Sequence, residues 1–366
     1  MSIRRGGWIC LFCVSLYSGF AQQNGPALQP KPAATVPAGS ADHRITLDVV
    51  VTDKSGKPVS GLQQQDFTPM DNKQPREIAS FQAASGRPAT ADGPVQVILL
   101  VDEVNTSFTT VAFEREQIKK FLRRDGGKLA RPVSMAYLSD SGMTMSKGPS
   151  RDGNAIVAAL DQNKDTVRTI IPQQGYWGAV DRQQLSLDKL GQLAEYETTR
   201  PGRKLLVWIS PGWNLFTGTA SAPRLHDQQL VFERIVALSD VLRRARITLY
   251  DVDPLGLADA NNLRLISYEQ YLKGAPTARK VQDADLGLQV LAYQSGGRVL
   301  NPNNDLSGQI AACIADANAY YVLSFDSLAG SDPNEYHSIE IKIGKPGLKA
   351  RTRSGYYAQL EVASAH

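Results

Sequence analysis

Four short stretches gather oxygen-bearing side chains: Asp102-Glu103-Val104-Asn105-Thr106-Ser107, Ser139-Asp140-Ser141, Ser210-Pro211-Gly212-Trp213 and Asp251-Val252-Asp253. Converging carboxylates and hydroxyls are the hard donors that Mg²⁺ or Ca²⁺ requires. The same side chains also cap helices and satisfy strand-end amides, and their chemistry alone favours that plainer role. A hydrolase would need Ser210 activated by a base such as His226, or a working carboxylate pair. The usual sequence contexts are missing. Ser210 lacks the glycine of a Gly-x-Ser-x-Gly elbow, no phosphate loop or Gly-x-Gly-x-x-Gly occurs, and no two histidines have zinc-pair spacing.

Each stretch follows an apolar run that would place it at a strand end. Residues 95–101 are almost continuously apolar and end at Asp102, as expected for a strand covered on both faces. Residues 133–138, 204–209, 247–250, 298–300 and 320–325 read as further strands. Between them, residues 110–123, 154–160, 185–196, 230–245, 285–295 and 306–317 carry apolar residues at helical spacing. Strands alternating with helices predict an α/β fold with a doubly wound, mostly parallel sheet, whose ligands collect at the carboxyl ends of the strands. Gly296-Gly297-Arg298 reads as a helix end and turn rather than a ligand loop.

The flanks have a different pattern. Ile45, Leu47, Val49 and Val51 alternate with Thr46, Asp48, Val50 and Thr52, the pattern of a half-buried strand. Ile339, Ile341 and Ile343 alternate with Glu340 and Lys342, and after a turn Leu348, Ala350 and Thr352 alternate with Lys349, Arg351 and Arg353. This predicts an antiparallel hairpin with a solvated basic face. A lone hairpin is marginal in water, so the two flanks are expected to pair into one small antiparallel β module. The predicted organisation is a signal peptide over residues 1–21, a disordered tether over 22–42, the first part of the β module over 43–88, the α/β domain over 94–327 and the closing hairpin over 334–358.

Arg4 and Arg5, an apolar stretch from Trp8 to Phe20, and small residues at Gly19 and Ala21 form a secretory pattern with cleavage after Ala21. No later stretch is long and apolar enough to span a membrane. The expected location is therefore periplasmic or extracellular. The formal charge of +4 includes Arg4 and Arg5, so an exported chain sits near neutrality. That argues against nucleic acid as a partner, since phosphate binding needs a concentrated basic surface. Cys10 and Cys13 leave with the signal, and Cys313, within an apolar helical segment, is expected to be a buried thiol.

The strand ending at Asp102, the run Lys204-Leu205-Leu206-Val207-Trp208-Ile209-Ser210-Pro211-Gly212 and the strand–helix order resemble a von Willebrand factor type A domain. Further motifs are Asp102-Glu103-Val104-Asn105-Thr106, Ser295-Gly296-Gly297-Arg298, Ala319-Tyr320-Tyr321 and the closing Pro346-Gly347-Leu348 to Gly355-Tyr356-Tyr357. With them, the chain after the leader resembles secreted bacterial proteins known as VWFA-related, Acidobacterial type. The resemblance implies a Rossmann-like sheet with binding at the strand-end rim. In type A domains an Asp-x-Ser-x-Ser loop, a Thr and a further Asp often hold a metal. Carried onto this chain, Asp102 and Thr106 keep two positions, Val104 replaces the first Ser, and Ser210 stands for the later Asp. No Thr near residues 174–178 fills the remaining position, and Asn105 and Asp140 are the substitute donors. The implied metal site is degenerate.

The expected function is a secreted binding or adhesion module, not an enzyme, that contacts a protein or cell-envelope component through the rim. Mg²⁺ or Ca²⁺ is a conceivable aid and no other cofactor is expected. Glu103, Tyr176, Trp177 and Trp213 are the expected contact residues, since aromatic loops bury area with few rotors. The alternatives are a hydrolase using Ser210 or rim carboxylates, and a scaffold with an inert rim. The Asn261–Gln282 insertion reads as a mobile surface loop.

Overall fold

The structure, a computed structural model, describes residues 44–85, 95–162, 175–213, 225–255, 268–300, 303–328, 330 and 332–358. The expected signal and tether fall outside the described residues.

The central sheet is built from β5 (Gln96–Asp102), β6 (Lys128–Ser139), β7 (Gly142–Met145), β8 (Ser150–Asp152), β9 (Lys204–Ile209), β10 (Ile247–Val252) and β11 (Val299–Leu300), in the order β11-β10-β9-β5-β6-β7 with β8 also on β6. The pairs from β11 to β6 are parallel, whereas β7 and β8 run antiparallel to β6. Among the described residues, the helices that accompany it are α1 (Phe108–Leu122), α2 (Gly153–Gln162), α3 (Gly175–Thr198), α4 (Leu225–Arg244), α5 (Leu288–Gln294) and α6 (Leu306–Ile314).

The period of two along each strand sorts its side chains into two cores. Ile98, Leu100, Leu206, Trp208 and Leu249 pack with apolar stripes of α3, α4 and α5. Val97, Leu99, Val101, Val207 and Tyr250 pack with α1, α2 and α6 on the other face. Both faces being covered explains why these strands read as continuous apolar runs. The doubly wound α/β architecture is the one predicted.

The flanks form two antiparallel sheets. One has the order β14-β1-β12-β4, from β1 (Arg44–Thr52), β4 (Ser80–Ser85), β12 (Ala319–Asp326) and β14 (Lys349–Arg351). The other has the order β15-β13-β2-β3, from β2 (Phe67–Asp71), β3 (Gln74–Pro75), β13 (Glu335–Ile343) and β15 (Gly355–Ala358). Ile45, Leu47, Val49 and Val51 of the first sheet share a core with Phe67, Ile339, Ile341 and Tyr356 of the second.

Three expectations fail in detail. The run 320–325 is not another strand of the parallel sheet: β12 lies antiparallel between β1 and β4. Tyr320 and Val322 face the helical layer while Tyr321, Leu323 and Phe325 face the β module. A strand shared by two cores carries the same uninterrupted apolar run as a buried parallel strand. Within the closing hairpin β13 pairs with β15, and with β2 on its other side, rather than with the 348–352 segment, whose β14 crosses to β1. The basic face is also not simply solvated. Arg351 pairs with Asp316, and Arg353 is only 8% exposed. Burial, reinforced by Arg243, lowers the Arg353 guanidinium to about 9.

The two parts are joined by charged contacts as well. Arg246, after α4, forks onto Asp48 of β1, with Nη2 2.6 Å from Oδ1 and Nε 3.3 Å from Oδ2. Part of the 261–282 insertion is packed rather than loose, since Ala275 and Val281 are buried in the α3–α5 core.

Candidate functional site

The rim is the edge where β5, β9 and β10 end, and Asp102 sits at its centre. Strand β5 delivers Asp102 fully buried, and the chain must then turn into α1, whose first turn is capped by Ser107 accepting from the Thr110 amide. The loop folds back over the carboxylate. Oδ1 of Asp102 accepts the amides of Val104 at 3.0 Å and Asn105 at 2.9 Å. Oδ2 accepts Nδ2 of Asn105 at 2.8 Å and Nε1 of Trp208 at 2.9 Å. Asn105 Nδ2 also donates to Ser186 Oγ at 2.9 Å, which ties the loop to α3. Four donors, two per oxygen, use the acceptor sites of a buried carboxylate that would otherwise carry a large desolvation cost.

Two of the other expected donors, Ser210 and Thr106, are buried as well. Ser210 is fully buried, and its Oγ accepts the Gly212 amide at 3.0 Å. Thr106 is buried, and Asp140 is half-buried in the turn between β6 and β7. Val104 sits in the apolar core shared with α3 and α4. Among the described residues, no three His, Cys, Asp or Glu side chains are grouped so that they could hold a metal ion. The donor set therefore does not fit the cation that the resemblance implies. Asp102 is already filled, the position beside it carries an apolar side chain, and Asn105 presents its amide nitrogen rather than an oxygen.

A second buried acid belongs to this rim. Asp251, at the end of β10, is 1% exposed, and its Oδ1 has no hydrogen-bond partner. Burial, then the charges of Asp253 and Asp102, hold its carboxyl well above the ordinary carboxylate range, against a hydrogen bond from Gln289. Gln289 is also the reason for Gly212: its φ is +77°, and an added Cβ would lie 2.4 Å from Gln289 Nε2. Trp208 and Gln289 were not singled out in the sequence. A tryptophan inside an aliphatic strand, whose buried N–H needs an acceptor, was the available signal.

The expected contact residues separate into two groups. Glu103 is buried and ion-paired with Arg115 at 3.1 Å, so it does not project. Trp213 is folded inward, 3% exposed, with its indole N–H donating to Leu286 O at 2.8 Å and its ring edge-on to Trp208 at 5.4 Å. A buried indole with both its N–H and its ring satisfied is a core group, which corrects its assignment to a contact surface. Trp177 is 74% exposed in the first turn of α3, while the Tyr176 side chain lies outside those described. At 1.5 Å per residue, Trp177 lies about 13.5 Å from Ser186 along α3, toward the start of the helix. Phe108, 61% exposed at the start of α1, is a further rim aromatic that sequence reasoning passed over. His226 is exposed at the start of α4. Cys313 is fully buried, and burial pushes its thiol up to about 12, as expected of a structural cysteine.

No family model matches the chain, and no curated protein matches it. Solved structures similar to it include the human COPII-coat protein Sec24c, at 11% identity and TM-score 0.31 over 76% of this chain and 46% of that one. The pilus adhesin SpaC from Lactobacillus rhamnosus GG, in its open conformation, is similar at 9% identity and TM-score 0.35 over 82% of this chain and 49% of that one. The chain thus spans about half the length of these structures. Likeness of this degree bears on neither partner nor activity.

Proposed function

We propose that this chain is an exported, non-enzymatic binding module of the von Willebrand factor A type. It holds a protein or cell-envelope partner by direct side-chain contact at the rim, with no bridging cation. One observation carries the reading: Asp102, Glu103, Ser210 and Trp213 of the rim are buried, whereas two large apolar side chains on the helices beside it, Trp177 and Phe108, are exposed. Asp102 and Ser210 are consumed by internal hydrogen bonds, whereas Trp177 and Phe108 stand exposed at the starts of helices bordering the Asp102 loop. Exposed aromatics suit a protein contact, because each buries a large area at low rotamer cost. A nucleophile at Ser210 would need access that its full burial does not provide.

The test is cross-linking of the purified protein to envelope fractions of its source cells, with and without EDTA, for the unmodified chain and the double variant Trp177→Ser, Phe108→Ser. The reading requires a cross-linked partner that survives EDTA and is lost in the variant. Loss with EDTA, or retention by a folded variant, would overturn it.

A further inference from the structure

The edge of the sheet opposite the rim contains a cavity of about 280 Å³ between the end of α1, the start of β6 and the end of α6. Phe121, Leu129, Val133, Ala311 and Ile314 give it an apolar lining. Three cations, Arg124, Lys128 and Arg131, line it as well, against one carboxylate, Asp125. Its volume is just below the roughly 300–1,000 Å³ common for small-ligand sites.

The three cations have no acidic partners. None of them makes an ion pair among the described residues; Arg124 and Lys128 are exposed, whereas Arg131 is half-buried, a setting in which Arg115, Arg246 and Arg351 each have an acidic partner. Arg124 lies over the Phe121 ring at 5.9 Å. Nη2 of Arg131 donates to the Ala317 carbonyl at 2.9 Å, and its Nε is buried without a partner. Burial lowers the Arg131 guanidinium, and the nearby Arg151 adds to that; the phenol of Tyr320 is the sole opposing group. The carbonyl ends of α1 and α6 oppose an anion, and Arg131 engages one carbonyl there, that of Ala317 in the turn after α6. A half-buried cation without a counter-charge, beside an apolar cavity, is a complement for an anionic head on an apolar body.

We propose that this cavity binds a small amphiphilic anion, a single carboxylate or phosphate head on an apolar tail of medium length, with Arg131 and Lys128 holding the head and the α1–α6 cleft holding the tail. The site is independent of the rim, and its failure would leave the rim reading untouched.

Calorimetric titration of the purified protein with decanoate and decyl phosphate tests it, with decanol and decyltrimethylammonium as uncharged and cationic controls. Saturable binding of at least one anion at roughly 1 mM or below is expected, and the tighter of the two identifies the head. Neither control should saturate in that range. Arg131→Gln should weaken binding about tenfold, the weight of one charged hydrogen bond. Ala311→Phe, which fills the cleft without changing charge, should abolish it. Lys128→Gln, at an exposed position, should weaken binding and serves if Arg131→Gln fails to fold. Absence of saturation with both anions, equal binding of decanol, or unchanged affinity in the folded Arg131 and Lys128 variants would overturn the proposal.

Discussion

Trp208 on β9 donates its indole N–H to Oδ2 of Asp102 on the adjacent strand β5, at 2.9 Å and in full burial. The bond fixes the carboxylate from beneath while the Val104 and Asn105 amides fix it from above. An acid that could have reached a ligand at the rim is thereby made a structural clamp on the loop leading into α1.

Trp208→Phe keeps most of the apolar volume but removes this donor. It should lower unfolding stability by about 1–3 kcal/mol, the cost of leaving a buried acceptor short of a partner. Urea denaturation followed by far-ultraviolet circular dichroism checks this. Stability unchanged from the parent would mean that the clamp contributes nothing.

Asp251 carries a pH dependence of definite sign. Burial raises its folded-state pKa above the unfolded value, so over that interval the folded chain retains a proton that the unfolded chain releases. The resulting penalty is absent below the ordinary carboxylate range, grows as pH rises, and levels off above the folded-state value. Asp251→Asn cannot titrate and keeps an oxygen for Gln289. The stability gained by the variant should therefore increase as pH rises above the ordinary carboxylate range. A gain that is constant with pH, or that shrinks as pH rises, contradicts an upward shift of the Asp251 carboxyl.

Lys204 separates stability from binding. Its ammonium is buried where β9 begins, and donates to the carbonyls of Glu197 at 2.9 Å and Ala245 at 3.1 Å, and to that of Arg200. It thus closes the ends of α3 and α4 at once, where a positive charge is favourable. Lys204→Met should cost roughly 2–4 kcal/mol, from the loss of charged hydrogen bonds. Rim-dependent cross-linking by the remaining folded fraction should be unaffected. Loss of cross-linking without loss of stability would place Lys204 in the binding surface instead.

Gly297, in the turn between α5 and β11, lies directly against β10. An added Cβ would lie 1.6 Å from the Leu249 carbonyl oxygen, which no side-chain rearrangement relieves. Gly297→Ala should therefore lower stability by about 3 kcal/mol or more, with the overpacking cost at its upper end because backbone must move. Thermal melts of the variant measure it. A shift within error of the parent would mean that α5 is free to move off β10.

The fold was largely legible in the sequence because its signals are local. The continuous apolar runs of β5 and β9 and the helical stripes of α1 and α4 each follow from which faces are covered. The run at Tyr320–Phe325 could not reveal its neighbours, since a strand shared by two cores and a strand inside a parallel sheet bury both faces alike. Pairing of β14 with β1 rather than β13 was hidden for a similar reason: the alternation of Leu348 and Ala350 specifies a buried face but not the partner. At the rim, the sequence located Asp102, Asn105 and Ser210 and left their orientation open. Whether a carboxylate points to solvent or to Trp208 depends on contacts across 106 positions, which no local spacing encodes. Trp213 resembled an exposed loop aromatic because its acceptor, Leu286 O, lies 73 residues away.

The central claim is that the rim works without a cation. Calorimetric titration of the purified protein with Mg²⁺, Ca²⁺ and Mn²⁺, alongside Asp102→Asn, tests it most directly. The account predicts no saturable heat for either protein up to roughly 1 mM metal, because the Asp102 acceptors are already occupied. Micromolar binding of any of the three ions by the parent chain, lost in Asp102→Asn while that variant stays folded, would contradict it.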